Sequence, residues 1–232
     1  MTKPRIWELD ALRGLCVLGM IAVHLLFDLT SLSGTLSFSY PGWLLFLMDW
    51  GGVAFFLISG ICASLGRRCV KRGLVVAGCG LVVSAVTLVM YRMNMADRTI
   101  LIYFGVLHCL GGCMILWAGF RKLPSRMLLA LSVLLTALGL WFGTLRVNTP
   151  WLIWLGLRYP GFATSDYFPL LPFLGFFLMG GVLGRILYPN KESLLPKGIP
   201  CLGWLQWIGR HSLPIYLLHQ PLLTAIVFLL HP

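Results

Sequence analysis

The feature that most limits how this chain can fold is a succession of long apolar runs, each close to the length a helix needs to cross a bilayer. They cover Leu12 to Leu29, Trp43 to Leu65, Gly73 to Tyr91, Thr99 to Phe120, Met127 to Leu145, Tyr167 to Leu187 and Leu213 to Leu230. Each has about 18 to 23 residues, against the roughly 20 required for a hydrocarbon core about 30 Å thick. The runs are continuously apolar and lack the period-two alternation of a membrane β-strand, so helices are expected, with every backbone group satisfied inside its own segment. The fold expected is an all-α integral membrane protein, a bundle of about seven transmembrane helices forming one domain over residues 1–232. Composition agrees: 59% hydrophobic and 11% charged residues exclude an ordinary soluble globular domain. Two further apolar stretches, Trp151 to Leu157 and Cys201 to Ile208, are too short to span and are expected at the interfaces, where tryptophan is at home.

Orientation follows from lysine and arginine, which are retained on the cytoplasmic side more readily than they are translocated. With the N-terminus cytoplasmic, Lys3, Arg5, Arg13, Arg67, Arg68, Lys71, Arg72, Arg121, Lys122, Arg126, Arg185, Lys191, Lys197 and Arg210 fall inside, and only Arg92, Arg98, Arg146 and Arg158 fall outside. An odd number of spans then puts the C-terminus outside. The formal charge of +11 is spread over separate cytoplasmic elements beside apolar helices, which suits anionic membrane lipids rather than nucleic acid. The first run carries Arg13, His24 and Asp28 and no small-residue cleavage site, so it is expected to remain as the first helix. The seven cysteines form no CxxC and read as small packing residues.

A charged or imidazole side chain within a span costs about 2.5 to 3.5 kcal/mol on insertion scales, so each one calls for a reason. The set is His24 and Asp28 on the first helix, Asp49 on the second, His108 on the fourth, and His219 with Gln220 on the seventh. His24 and Asp28 are one turn apart on one face. At 1.5 Å per residue His24 lies roughly 8 Å below the outer end of its helix and Asp49 roughly 9 Å below that of its own, a shared level. A carboxylate beside an imidazole fixes its tautomer and raises its basicity, as a general base requires. His108 and His219 count to roughly 14 and 16 Å, a second layer nearer the middle. Taken singly, His108 and His219 read first as interhelical hydrogen bonds, and Asp28 and Asp49 as residues close enough to the outer surface to reach water. Arg13 reads either as an orientation anchor or as a functional group. Gly180 with Gly184, and Gly51, Gly52, Gly60, Gly111 and Gly112, read as positions where helices approach closely. No metal-ligand pattern is present in the sequence.

At ELDALRGLCVLGMIAVH the sequence resembles the transmembrane acyltransferases, in particular small prokaryotic relatives of the catalytic domain of heparan-α-glucosaminide N-acetyltransferase. Arg13 and His24 match the arginine, ten residues, histidine pattern of the broader acyltransferase-3 group. The resemblance continues in order through FFLISGICASLGRR, YFGVLHCLG, DYFPLLPFLGFFLMGGVLGR and IGRHSLPIYLLHQPLL. It implies that acetyl-CoA or another acyl-CoA in the cytoplasm gives its acyl group to an acceptor, a sugar or envelope glycan, across a prokaryotic cytoplasmic membrane. His24 then stands near the acyl carbonyl, with Asp28, Asp49 and His108 as further catalytic candidates. Arg13, His219 and Gln220 fall on the substrate side. The basic group Arg67, Arg68, Lys71 and Arg72 suits the CoA phosphates, with Arg121, Lys122 and Arg126 adding charge.

Lysosomal relatives carry a catalytic histidine between the first two helices, whereas no histidine lies between His24 and His108 here. Direct transfer, with a histidine as general base, is therefore the expected route. A homo-oligomer is allowed by the sequence. The alternative class is a proton-coupled transporter, in which the same buried His and Asp residues would form a proton pathway; no motif in the sequence supports it.

Overall fold

The structure is a computed structural model that describes residues 5–32, 39–195 and 197–230; Lys3, counted among the cytoplasmic charges, lies outside them. The helices are α1 (Trp7–Phe27), α2 (Gly42–Leu65), α3 (Cys69–Arg92), α4 (Val106–Phe120), α5 (Ser125–Thr144), α6 (Leu170–Leu187), α7 (Gly203–Arg210) and α8 (Ser212–Leu230). A π turn, Asp28–Leu32, continues α1 beyond the end expected from the sequence. Among the described residues there is no strand, only the isolated bridges Phe104 to Tyr167 and Arg146 to Arg158.

Five helices, those beginning at Trp7, Gly42, Cys69, Ser125 and Leu170, are long and apolar enough to cross a membrane; α4 and the Ser212–Val227 part of α8 are apolar but shorter. The fourth apolar run is helical only from Val106, not from Thr99, because its first residues are paired elsewhere. The Thr99 carbonyl accepts from Ser165 Oγ at 2.7 Å and the Leu101 carbonyl from Thr164 Oγ1 at 2.6 Å, and the Phe168 N–H donates to the Phe104 carbonyl. These bonds hold residues 99–104 as a connecting segment that needs no helical ladder.

The chain forms two compact units, one of residues 1–58 with 190–232 and one of residues 59–189. In the second, α5 packs along α6, α3 along α4, and α4 on α6. Glycines set these distances. A Cβ at Gly60 would run into the Phe177 carbonyl, one at Gly111 into Ala77, and one at Gly184 into Ser64 and Ile61, as the small-residue pattern led one to expect. Gly51 and Gly112 meet only ordinary contacts, so packing does not demand glycine there. Outward faces are apolar: Leu74, Leu81 and Val82 on α3, and Val133, Leu134 and Trp141 on α5, are all exposed. So much outward leucine and valine on continuous helices suits lipid as the surrounding solvent.

In the first unit α7 lies antiparallel to α1, because Leu205 faces Gly14 while Gly209 faces Asp10. Cβ atoms at Gly14 and Gly209 would overlap the Leu205 and Asp10 carbonyls, so both backbones touch directly. The stretch expected at an interface is thus a short helix with Leu205 and Gly209 buried against α1 and Trp204 and Trp207 turned outward. The start of α1 is also strapped. Glu8 accepts from the Leu194 N–H at 2.8 Å and from Ser193 Oγ at 2.7 Å, and Trp7 Nε1 donates to the Leu195 carbonyl at 2.8 Å.

Candidate functional site

The first unit brings four of the sequence candidates together where α1 meets α8. The rings of His24 and His219 lie edge to face, with centroids 4.8 Å apart. Each imidazole is oriented by the carbonyl of a preceding helical turn. His24 Nδ1 is 2.9 Å from the Met20 carbonyl, and His219 Nδ1 bonds to that of Tyr216. A carbonyl can only accept, so both Nδ1 atoms carry a proton, and it is Nε2 that bears the lone pair whenever the ring is neutral. His219 Nε2 is buried with no partner among the described residues.

Asp28, at the first position of the π turn, is 2% exposed. Gln220 Nε2 bridges its two carboxylate oxygens at 3.0 and 3.1 Å. Gln220 Oε1 is left buried and unpartnered among the described residues. The carboxylate therefore orients the Gln220 amide, while the His24 tautomer is set by the backbone, which differs from the acid–imidazole pair expected from the one-turn spacing. Pro221 adds to the surplus of acceptors, since it has no N–H for the carbonyl four residues back.

Helix counting from Leu29 put His24 and His219 at different levels, but within the first unit their rings are in contact, and α1 runs on into the π turn beyond that end. Asp49 is exposed on α2, and no hydrogen bond or ion pair joins it to His24 among the described residues.

At the other end of α1, Asp10 collects three arginines: Arg210 Nε at 3.2 Å, Arg5 Nη1 at 3.8 Å and Arg13 Nη1 at 3.9 Å. Arg13 is thus held in a cationic cluster at the base of α1 and α7. Asp10 and Arg210 were absent from the sequence candidates; the acid three residues before Arg13 was the available signal.

In the second unit His108 has a different environment. Its Nδ1 accepts from the Gly105 N–H at 3.3 Å, capping α4. Its Nε2 lies 3.4 Å from Ser84 Oγ on α3, whose hydroxyl proton goes to the Ile102 carbonyl at 2.6 Å. One ring nitrogen caps its own helix and the other joins α4 to α3, which is the interhelical reading of this residue. Arg67 and Arg68 in the turn before α3, and Arg72 in its first turn, are exposed. Among the described residues no group of three His, Cys, Asp or Glu is arranged to hold a metal.

Residues 5–221 match the catalytic family of heparan-alpha-glucosaminide N-acetyltransferase. The chain belongs to that family. The match takes in nearly all of both units, including His24, Asp28, His219 and Gln220. Comparison with curated proteins and with solved structures gives no match. Family membership and five long apolar helices make this N-acetyltransferase relative a membrane acetyltransferase, of a family that uses acetyl-CoA.

Proposed function

We propose that the protein moves an acetyl group from acetyl-CoA on the cytoplasmic face to a hydroxyl or amine of a sugar or glycan on the far side, through a seven-span arrangement with the N-terminus cytoplasmic. The observation that carries this reading is the pair His24 and His219, two imidazoles in contact, each with Nδ1 tied to the backbone, so that Nε2 is the nitrogen that can act as a base. In the step proposed, His24 Nε2 takes the proton from the acceptor O–H or N–H. The freed electron pair forms a bond to the thioester carbonyl carbon. The carbon–sulfur bond then breaks and the CoA thiolate leaves, receiving the proton from His24. His219 Nε2 and Gln220 Oε1 supply further acceptors that orient the nucleophile, and Asp28 keeps the Gln220 amide in place.

For the donor, Arg67, Arg68 and Arg72 at the α2–α3 turn are exposed and suited to the CoA phosphates, and Arg13 stands in the Asp10 cluster on the same cytoplasmic side in this topology. Acceptor recognition falls to the outer loops, among them residues 93–105 and 145–169.

The test is transfer by the purified protein from radiolabelled acetyl-CoA, with and without a pool of amino sugars and glycans. Acceptor-dependent release of CoA with label appearing on the sugar is expected. Absence of transfer to every sugar and glycan offered, from a folded protein that binds acetyl-CoA, would remove the reading.

A further inference from the structure

Arg92, Arg98, Arg146 and Arg158 fall on the outer side in the proposed topology, against the usual retention of arginine in the cytoplasm, so each calls for a reason. Three have one close at hand. Arg92 ends α3, where the helix dipole favours a cation. Arg146 Nη1 donates to the Gly143 and Leu145 carbonyls at 3.1 and 3.0 Å, closing the end of α5. The Arg158 guanidinium lies over the Tyr167 ring, 5.0 Å from its centre. Arg98 is different. It is exposed, and among the described residues it has no ion pair with any acid, Asp97 next to it included. With Tyr103, Tyr159 and Tyr91 as neighbours, it stands on the wall of a pocket of about 420 Å³ in the second unit. Asn148, Pro150, Tyr159 and Pro160 complete that wall.

The pocket is preformed by bonds between segments far apart in the chain. Ser165 Oγ on the Thr99 carbonyl and Thr164 Oγ1 on the Leu101 carbonyl tie the turn that carries Arg98 to the segment that follows Tyr159. The Val147 N–H donates to the Arg158 carbonyl at 3.0 Å, which fixes the segment of Asn148 against that of Tyr159. Tyr159 and Pro160 open a tight turn closed by the Phe162 N–H on the Tyr159 carbonyl, with Gly161 at a φ of 76°, and the Phe162 ring packs on Tyr159 at 5.3 Å. One guanidinium, one amide and the flat faces of a tyrosine and two prolines suit a ligand with three properties: a planar anion for the guanidinium, hydroxyls for the amide, and a ring whose C–H face can lie on the apolar surfaces. We infer that this pocket is an acceptor-side subsite for an acidic saccharide, its carboxylate held by Arg98, its hydroxyls by Asn148 and its ring face by Tyr159. The inference rests on the acetyl-transfer reading for the saccharide's role as acceptor, and narrows that acceptor from any sugar to a carboxylate-bearing one. A phospholipid phosphate would bring the anion without the ring.

The experiment measures binding to the full chain in phosphatidylcholine nanodiscs without acetyl-CoA, by saturation-transfer NMR. The probes are methyl glucuronide and methyl glucoside, which share a ring and differ in a carboxylate. The glucuronide is expected to bind about five- to tenfold more tightly at low salt, an advantage that shrinks as salt rises. Arg98→Gln should remove the advantage, and Asn148→Asp should reduce it by repulsion; both positions are exposed, and two variants guard against one misfolding. Arg92→Gln, off the pocket wall, should leave it unchanged. Equal binding of the two glycosides, or a preference that Arg98→Gln leaves intact, overturns the inference while acetyl transfer stands. A preference lost when phosphatidylglycerol is added to the disc assigns the pocket to lipid headgroups and also overturns it. An Arg98-dependent preference in a protein that transfers acetyl groups to no sugar upholds the pocket and counts instead against the acetyl-transfer reading.

Discussion

His219 and His108 sit on apolar helices in different units, and their surroundings differ in one respect that decides what each can do. His108 has both nitrogens engaged, one by a backbone N–H that caps its helix and one by Ser84. His219 has one nitrogen anchored and the other buried without a partner among the described residues, against a second histidine with the same anchoring. A satisfied buried imidazole holds helices together. One left with an unfilled lone pair has a cost that a bound water, a ligand or a reaction can offset. Hydrogen-bond completeness separates these histidines more sharply than burial, His219 being buried and His108 half-buried.

The sharpest way to break this contrast is His24→Ala. Transfer should fall by roughly 10² to 10⁴, the usual contribution of a positioned general base, with acetyl-CoA affinity retained. Single-turnover acetyl transfer and equilibrium donor binding, measured on the same preparation, check this. A normal rate would move the chemistry away from the pair altogether.

His108→Ala should do the reverse, lowering stability by about 1 to 3 kcal/mol through the unmet Gly105 N–H and lost Ser84 contact while leaving the turnover of the folded fraction near normal. Thermal unfolding in nanodiscs together with activity per folded molecule reads the two effects apart. A large loss of turnover with unchanged stability would place His108 in the chemistry and dissolve the distinction.

The smallest effect expected is at the exposed arginines. Alanine at Arg67 and Arg68 should weaken CoA binding several-fold at low salt and little at high salt, because exposed charges are screened beyond roughly a Debye length. Titration of CoA at two ionic strengths checks it, and an affinity that does not change at either would leave these residues as topology anchors.

Much of the fold could be read from the sequence because apolar length is a strong signal: the expected starts or ends of α2, α3, α5 and α6 lie within a few residues of those found. Thr99 to Leu101 misled because apolar residues in a connecting segment look like helix when their side-chain partners, Thr164 and Ser165, are more than sixty positions away. At the site, His24, Asp28, His219 and Gln220 were legible singly, since polar groups in hydrocarbon are few. Their pairing was not. It depends on which faces of α1 and α8 meet, and neither helix states that alone. The Asp10 cluster escaped for another reason: an acid near a helix start is an ordinary sight, and Arg210 comes two hundred residues later.

The π turn over Asp28–Leu32 also bears on how this site tolerates change. A π turn accommodates one residue more than an α-helical turn over the same advance, and each residue in a helix accounts for about 100° of rotation. Deleting any one residue there, whichever side chain it carries, would let the segment relax to ordinary α-helix and swing the chain beyond it by about that angle. Because Asp28 opens the turn, its alignment with Gln220 is held by α1 before it, and the number of residues in the turn sets instead the direction in which the chain leaves α1. Among relatives, a segment of this kind would be free to drift in composition and yet be held to a fixed length.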